Sequence, residues 1–303
     1  MTRDAQNFNV RLKKVGAILN TSSGSCDENV REEMETILRE AGIITPHIWC
    51  GEANEMDEAF AQATDRELDI LIILGGDGTI RTAAEICSEK GPILIPLPGG
   101  TMNMLPKALY GDVSWQDILR SILSVPVLRS VSCGQIEKKR FFVAAILGTP
   151  SLWAKARESV REGALGEAIE QSVSVLQQSF GKDISYELDA GEKKNAEALG
   201  IICPLISSVL ADKERSLEVV IFNLEGPLEV LRLASRAVLG EWRDDPGVSS
   251  IKVKQATVSS EKEIPAILDG ETILLGREAK ILFVPVAFNS LVPQSEEGVE
   301  IGK

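Results

Sequence analysis

The chain reads as apolar runs separated by polar segments with helical periodicity. Val15 to Asn20 (VGAILN) is almost wholly apolar and ends in the turn-rich TSSGS. After it, DENVREEMETILREAG places Val30, Met34, Ile37 and Leu38 at helical spacing, with Asp27 as a candidate cap and Gly42 as a candidate stop. A strand-like IITPHIWC, a helix-like MDEAFAQATDREL, the run ILIIL, a glycine turn, a helix from about Ile80 and the strand PILIPL follow. A second glycine turn, PLPGGTMNML, leads to a helix from Trp115 to Leu123. Strands that alternate with helices, apolar throughout rather than at every second position, predict a parallel sheet covered on both faces.

Beyond Pro126 the pattern changes. LRSVSCGQIEKKRFFVAAIL predicts two strands around a polar Glu137-Lys138-Lys139 turn, and a helical stretch runs from about Ser151 to Phe180. DISYELDA, ALGIICPL, LEVVIFN, SSIKVKQATVSS, IPAILDG, ETILLG and AKILFVPVAF predict further strands. The expected fold class is therefore α/β plus β. A Rossmann-like α/β nucleotide-binding domain with a parallel sheet occupies residues 11–128, with 286–303 as a candidate return segment, and a mainly antiparallel β-sandwich domain occupies 129–285. The 303 residues are enough for two such cores.

Composition narrows the function by exclusion. A hydrophobic share of 44% and a charged share of 25% are those of an ordinary globular protein. The net charge of -13 argues against a nucleic-acid partner, whose phosphates need clustered Lys and Arg, and predicts little nonspecific attraction to anionic lipid. The cysteines, odd in number and widely spaced in apolar segments, suggest neither a disulfide framework nor a zinc site, and fit a reducing cytoplasm. FFVAAIL and ALGIICPLISSVLA fall short of the roughly 20 residues that a membrane span needs, and MTRDAQNFNVRLKK has no apolar core, so neither secretion nor a spanning anchor is expected. The single histidine, His47, lies between apolar residues and is read as structural; acid–base chemistry then falls to carboxylates.

In an open parallel sheet, ligands bind beyond the carboxyl ends of the strands. Three glycine-rich turns fall there: Thr21-Ser22-Ser23-Gly24, Gly75-Gly76-Asp77-Gly78-Thr79 and Pro98-Gly99-Gly100-Thr101-Met102-Asn103. Their backbone amides, hydroxyls and following helices suit a polyphosphate. Asp77 alone would repel one; it makes sense if Mg²⁺ bridges it to the phosphates, or if it orients an attacking group. A lone GGDGT is as readily a tight connection, and it is the Gly-Gly-Thr-x-Asn one strand later that tips the reading toward phosphate. Asp269-Gly270-Glu271 ends another apolar strand. It reads either as a carboxylate source for an alcohol's proton or as a plain Asp-Gly hairpin turn.

In order and spacing, ILNTSSG, LGGDGT, PLPGGTMNMLPKALYG and the late ILDGE closely resemble the bacterial diacylglycerol-kinase-like lipid kinases, which share a catalytic domain with sphingosine kinases. The resemblance runs over most of the chain. It implies the NAD kinase/diacylglycerol kinase-like fold, ATP and Mg²⁺ as cofactors, and transfer of the γ-phosphoryl group to a hydroxyl of diacylglycerol or a related lipid. It implies nucleotide contact at Asn20, Ser23, Gly24, Gly75, Gly76, Asp77, Gly78, Thr79, Gly100, Thr101 and Asn103, with Asp77 also as metal ligand and part of the catalytic set. Within Asp269-Gly270-Glu271 it points to Glu271 as the group acting on the acceptor hydroxyl, with Asp269 as its near rival. It further implies a cytoplasmic protein that meets the inner membrane face transiently to reach its lipid, with no nucleic-acid partner and a homodimer left open.

Several positions depart from the family pattern. Met104 stands where a second acid usually follows Gly-Thr-x-Asn, Thr82 stands where a Glu usually follows GGDGT, with Glu85 a helical turn later, and Lys213, Glu214 and Arg215 replace an Asp-Asp-Gly that helps bind a structural metal in some members. The changes fall around acceptor and accessory sites, so the lipid need not be diacylglycerol. A NAD kinase-like small-molecule kinase and a phosphofructokinase-like enzyme share the GGDG but not the downstream motifs. A non-catalytic nucleotide- or lipid-binding relative is the remaining alternative. For a lipid, Leu147 to Ala168 with Trp153 is a candidate groove wall, readable also as a helix packed on the β domain. Leu199 to Leu210 reads as core strand, and Lys138 and Lys139 as a solvated turn.

Overall fold

The computed structural model describes residues 14–24, 26–87, 90–148, 184–210, 215–223 and 242–294. The expected helix over 151–180, the groove wall beyond Gly148 with Trp153, and Lys213 and Glu214 lie outside the described residues. The chain divides into two compact units, residues 1–132 with 285–303, and residues 133–284.

In the first unit four parallel strands, β1 (Val15–Asn20), β2 (His47–Gly51), β3 (Ile70–Gly75) and β4 (Ile93–Pro98), lie in the order β2-β1-β3-β4. β1 and β3 are buried at every position, as central strands of a sheet covered on both faces must be. The helices are α1 (Val30–Glu40), α2 (Met56–Asp65), α3 (Asp77–Ile86), α4 (Met104–Tyr110) and α5 (Trp115–Ser124). The buried stripe of α1 is Val30, Met34, Ile37 and Leu38, the four positions named by its periodicity. At about 1.5–3 kcal/mol per fully buried aliphatic side chain, that stripe outweighs the marginal intrinsic stability of an isolated helix of this length.

The local details differ from expectation in four places. The residue capping α1 is Asn29, and Asp27 instead accepts a hydrogen bond from the Asn29 amide at 2.9 Å. β2 starts only at His47, after Pro46, which has no amide to give to a ladder. α3 begins at Asp77 and not near Ile80, and the short α4 was not expected at all. Pro106 is tolerated in α4 because it lies in the first turn, where a missing amide breaks no helical bond. The far end of α4 is tied down by Tyr110, whose buried hydroxyl donates to the Leu291 carbonyl at 3.2 Å.

The second unit is antiparallel. Its strands are the end of β5 (Pro126–Ile136), β6 (Lys139–Phe141), β7 (Ala144–Gly148), β8 (Ile184–Leu188), β9 (Lys194–Ala196), β10 (Ala198–Ile202), β11 (Leu217–Phe222), β12 (Val248–Val253), β13 (Gln255–Ser259), β14 (Ile264–Leu268), β15 (Glu271–Leu275) and the first part of β16 (Glu278–Pro293). Six of them form one sheet in the order β12-β11-β10-β7-β14-β15. In the other, β13 pairs with β8 on one side and β16 on the other. One core draws on both sheets, with Leu147, Leu199 and Val219 from the first and Tyr186, Val258 and Ile281 from the second, which makes a sandwich. Two runs expected to be single strands are interrupted where a distant carboxylate captures the backbone. SSIKVKQATVSS breaks at Lys254, where Asp189 accepts the amides of Lys254 at 3.0 Å and Gln255 at 2.9 Å. FFVAAIL breaks before Ala144 for a similar reason, described below.

Candidate functional site

β1, β3 and β4 are neighbours, so the three glycine-rich turns that follow them lie side by side at one edge of the sheet. The second and third turns touch backbone to backbone. The Gly99 amide donates to the Gly75 carbonyl at 3.0 Å, prolonging the β3–β4 pairing into the loops. A Cβ on Gly99 would sit 2.7 Å from the Gly75 nitrogen, and one on Gly100 would sit 2.7 Å from the Gly76 Cα. Only glycine permits that approach.

Side chains complete the join. Oδ2 of Asp77 accepts the Asn103 amide at 3.0 Å, and Oδ1 accepts the Met104 amide at 2.6 Å. Asn103 itself is left-handed at φ 52, and its side chain grips Gly100 from both sides, accepting the Gly100 amide at 2.8 Å and donating to the Gly100 carbonyl at 2.7 Å. On the other flank buried Asn20 donates to Thr79 Oγ1 at 3.0 Å and accepts the Ser22 amide at 3.1 Å. The Ser23 amide returns to the Asn20 carbonyl at 3.0 Å, with Ser23 half-buried and Gly24 exposed.

The chemistry this edge can do follows from which groups are already engaged. α3 has Gly76 as its cap with no side chain capping it, and its first ladder bond runs from the Ile80 amide to the Gly76 carbonyl at 3.1 Å. The amides of Asp77, Gly78 and Thr79 therefore precede the helical ladder, half-buried, where an anion is stabilised. Because Thr79 Oγ1 accepts from Asn20, its own hydrogen remains to be donated. Gly100 and Asn103, by contrast, spend their amides on the Asn103 side chain and on Asp77, and Thr101 and Met102 are exposed at the tip of the third turn. No thiol competes as a nucleophile here: burial, then the neighbouring Cys50 and Asp27, push Cys26 up to about 11, and burial pushes Cys87 up to about 12.

In the second unit, Asp269 and Gly270 form the two-residue turn between β14 and β15, at φ 45 and φ 88, as a type I′ hairpin requires. The Asp269 carboxylate accepts three backbone amides, Phe142 at 2.7 Å, Val143 at 2.9 Å and Ala144 at 3.0 Å, and so bends the chain between β6 and β7. Asp269 thus has a structural occupation that its motif did not reveal. Glu271 opens β15, opposite Leu268, and is half-buried.

A further cluster went unnoticed in the sequence. Glu218, fully buried on β11, accepts Arg243 through Nη1 at 2.9 Å and Nη2 at 3.2 Å, and the Ser207 hydroxyl at 2.6 Å. The available signal was a lone acid inside the apolar run LEVVIF.

Residues 14–136, which carry all three turns, match the diacylglycerol kinase catalytic domain. That match, together with the relatives below, supports a bacterial diacylglycerol-kinase-like lipid kinase. It is similar to the diacylglycerol kinase of Bacillus subtilis (strain 168), with 25% identity over 86% of this chain and 90% of that one. It is similar also to the diacylglycerol kinase of Staphylococcus saprophyticus, with 26% identity over 86% of this chain and 89% of that one. A crystal structure of a diacylglycerol kinase from Bacillus anthracis str. Sterne covers 93% of this chain and 97% of its own at a TM-score of 0.64 and 15% identity, a likeness of fold. The two-unit architecture is therefore the diacylglycerol kinase-like fold, and the family match supports a lipid-directed kinase.

Proposed function

We propose that the protein transfers the γ-phosphoryl group of ATP to a hydroxyl of diacylglycerol or a related lipid. The observation that carries this reading is the alignment of three turns at adjacent strand ends, with the α3 amides and the Thr79 hydroxyl left to donate. In the proposed site the amides of Asp77, Gly78 and Thr79 bind phosphate oxygens, with Asn20 holding the Thr79 hydroxyl in its donating orientation. Gly75, Gly76 and Gly100 let the turns close up, and Ser23, Gly24 and Thr101 supply the flanking contacts. Glu271 takes the proton of the acceptor hydroxyl, since a lipid alcohol is a poor nucleophile until a carboxylate holds or removes that proton. Asp269, held by three amides, acts by fixing the turn on which Glu271 stands.

Among the described residues no group of three or more His, Cys, Asp and Glu side chains gathers as a metal cage. We propose that Mg²⁺ would be carried by nucleotide phosphates and its own waters, with one protein carboxylate nearby. Asp77 would be that carboxylate, since each of its oxygens keeps acceptor capacity after taking one amide. When bound, the ion would neutralise charge on the transferring phosphate. Among the described residues no helix is long and apolar enough to cross a membrane. We propose, from the resemblance to lipid kinases, that the lipid is met at the inner membrane face and reached from the cytoplasm.

The test is transfer of labelled γ-phosphate from ATP into a total lipid extract by wild type and Glu271→Gln. The expected result is a labelled lipid, with Glu271→Gln binding ATP normally and transferring at least roughly a hundredfold more slowly. Labelling of NAD and of no lipid would overturn the lipid reading. Full activity in Glu271→Gln would remove Glu271 from its role.

A further inference from the structure

We propose that Asp77 is a positioning residue that locks the third turn and α4 onto the second turn, and that the nucleotide-ready shape of this edge depends on that lock before any metal arrives. The consequence for binding rests on the nucleotide reading above; the lock itself does not. α4 has seven residues, too few to hold a helix unaided, and the residue at its own cap position, Asn103, gives no side-chain bond to its amides. Asp77 supplies that cap from 26 and 27 residues away, by accepting the Asn103 and Met104 amides. A carboxylate at this position both satisfies orphan amides and opposes the partial positive charge of the helix start.

Two other features depend on the same join. Gly100 presses on the Gly76 Cα, and the Asn103 side chain staples Gly100 from both sides, so a shift of α4 would carry Gly100 and Thr101 with it. The lock also answers why an acid is tolerated beside a phosphate site. Its charge is met by two backbone amides, as in a carboxylate capping a helix.

A ligand role alone and a lock give opposite results without metal. If Asp77 served only as a metal ligand, removing its charge would leave metal-free nucleotide binding unchanged or strengthen it, by relieving repulsion of the phosphates. If it is a lock, metal-free binding weakens. The experiment compares wild type, Asp77→Asn and Asp77→Ala as full chains. Amide hydrogen exchange is measured without ligand, and ATP binding by calorimetry in the presence of a chelator. The expected exchange at the Asn103 and Met104 amides is roughly tenfold or more faster in Asp77→Ala, and intermediate in Asp77→Asn, since Asn still caps with one oxygen. Metal-free affinity should fall in the same order. Unchanged exchange at both amides, or metal-free affinity that rises as the charge is removed, would overturn the proposal. If Asp77→Ala does not fold, Asn103→Gly serves instead. Glycine keeps the left-handed backbone and deletes only the staple, so Gly100 exchange should rise while the Met104 amide stays protected; loss of protection at Met104 would count against the lock. Should wild type bind no ATP at all, the nucleotide reading falls, and the exchange measurement still decides the lock.

Discussion

Replacing Asp269 separates a structural carboxylate from a catalytic one. Asp269→Ala removes the acceptor of three amides at 2.7, 2.9 and 3.0 Å. Hydrogen bonds to a charged group contribute about 1.5–3 kcal/mol each, but these amides are only partly buried and can meet water, so the three do not simply add. Alanine must also hold the left-handed backbone at φ 45, at about 1–2 kcal/mol. The expected total is a loss of about 2–4 kcal/mol. Asp269→Gly removes the same carboxylate but adopts the turn freely, and should recover about 1 kcal/mol of that loss. Asp269→Asn tolerates the backbone and can keep one oxygen for Val143 and Ala144, but presents an NH₂ to the Phe142 amide, so it should lie between wild type and glycine. The assay is urea denaturation read by two probes, because a two-unit chain need not unfold in one step, together with native-state exchange at residues 142–144. A loss within about 0.5 kcal/mol for Asp269→Ala, with those amides still protected, would refute the reasoning. So would abolished transfer in all three variants at unchanged stability, which would return Asp269 to the chemistry.

The remaining expectations concern the turns, the buried ion pair and alkaline pH. Gly100→Ala places a methyl 2.7 Å from the Gly76 Cα and should cost about 1–3 kcal/mol while weakening ATP binding; an unchanged melting temperature and titration would contradict the close approach. Arg243→Ala leaves the buried Glu218 carboxylate without its bidentate partner and should cost about 3–5 kcal/mol by denaturation, whereas Glu218→Leu with Arg243→Met should recover most of it. Burial pushes the Cys87 and Cys133 thiols from 9.0 up to about 12, so above pH 9 the unfolded chain loses protons that the folded chain keeps. The folded state then binds more protons than the unfolded one, and stability should be full below pH 9 and fall as pH rises toward 12. Melting temperature against pH checks this, and Cys87→Ala with Cys133→Ala should flatten the alkaline decline.

Much of the architecture was legible in the sequence because burial writes itself as a local pattern. Runs such as ILIIL, short, β-branched and closed by a glycine turn, read as strands buried on both faces, and the α1 stripe shows its period directly. The three turns were legible as well, since a backbone that must approach another within a few ångströms requires glycine wherever it occurs. α4 was not, because a helix of seven residues has too weak a pattern to announce itself and takes its cap from another turn. The carboxylates were the least legible of all. Asp77 in GGDGT, Asp269 in ILDGE and Glu218 in LEVVIF stand out in the sequence as acids in apolar or glycine-rich settings, and that marked them as important or should have done. What each one does depends on partners 26, 127 and 25 residues away in the chain. An acid's function is set by the donors that surround it, and only tertiary structure assembles those donors.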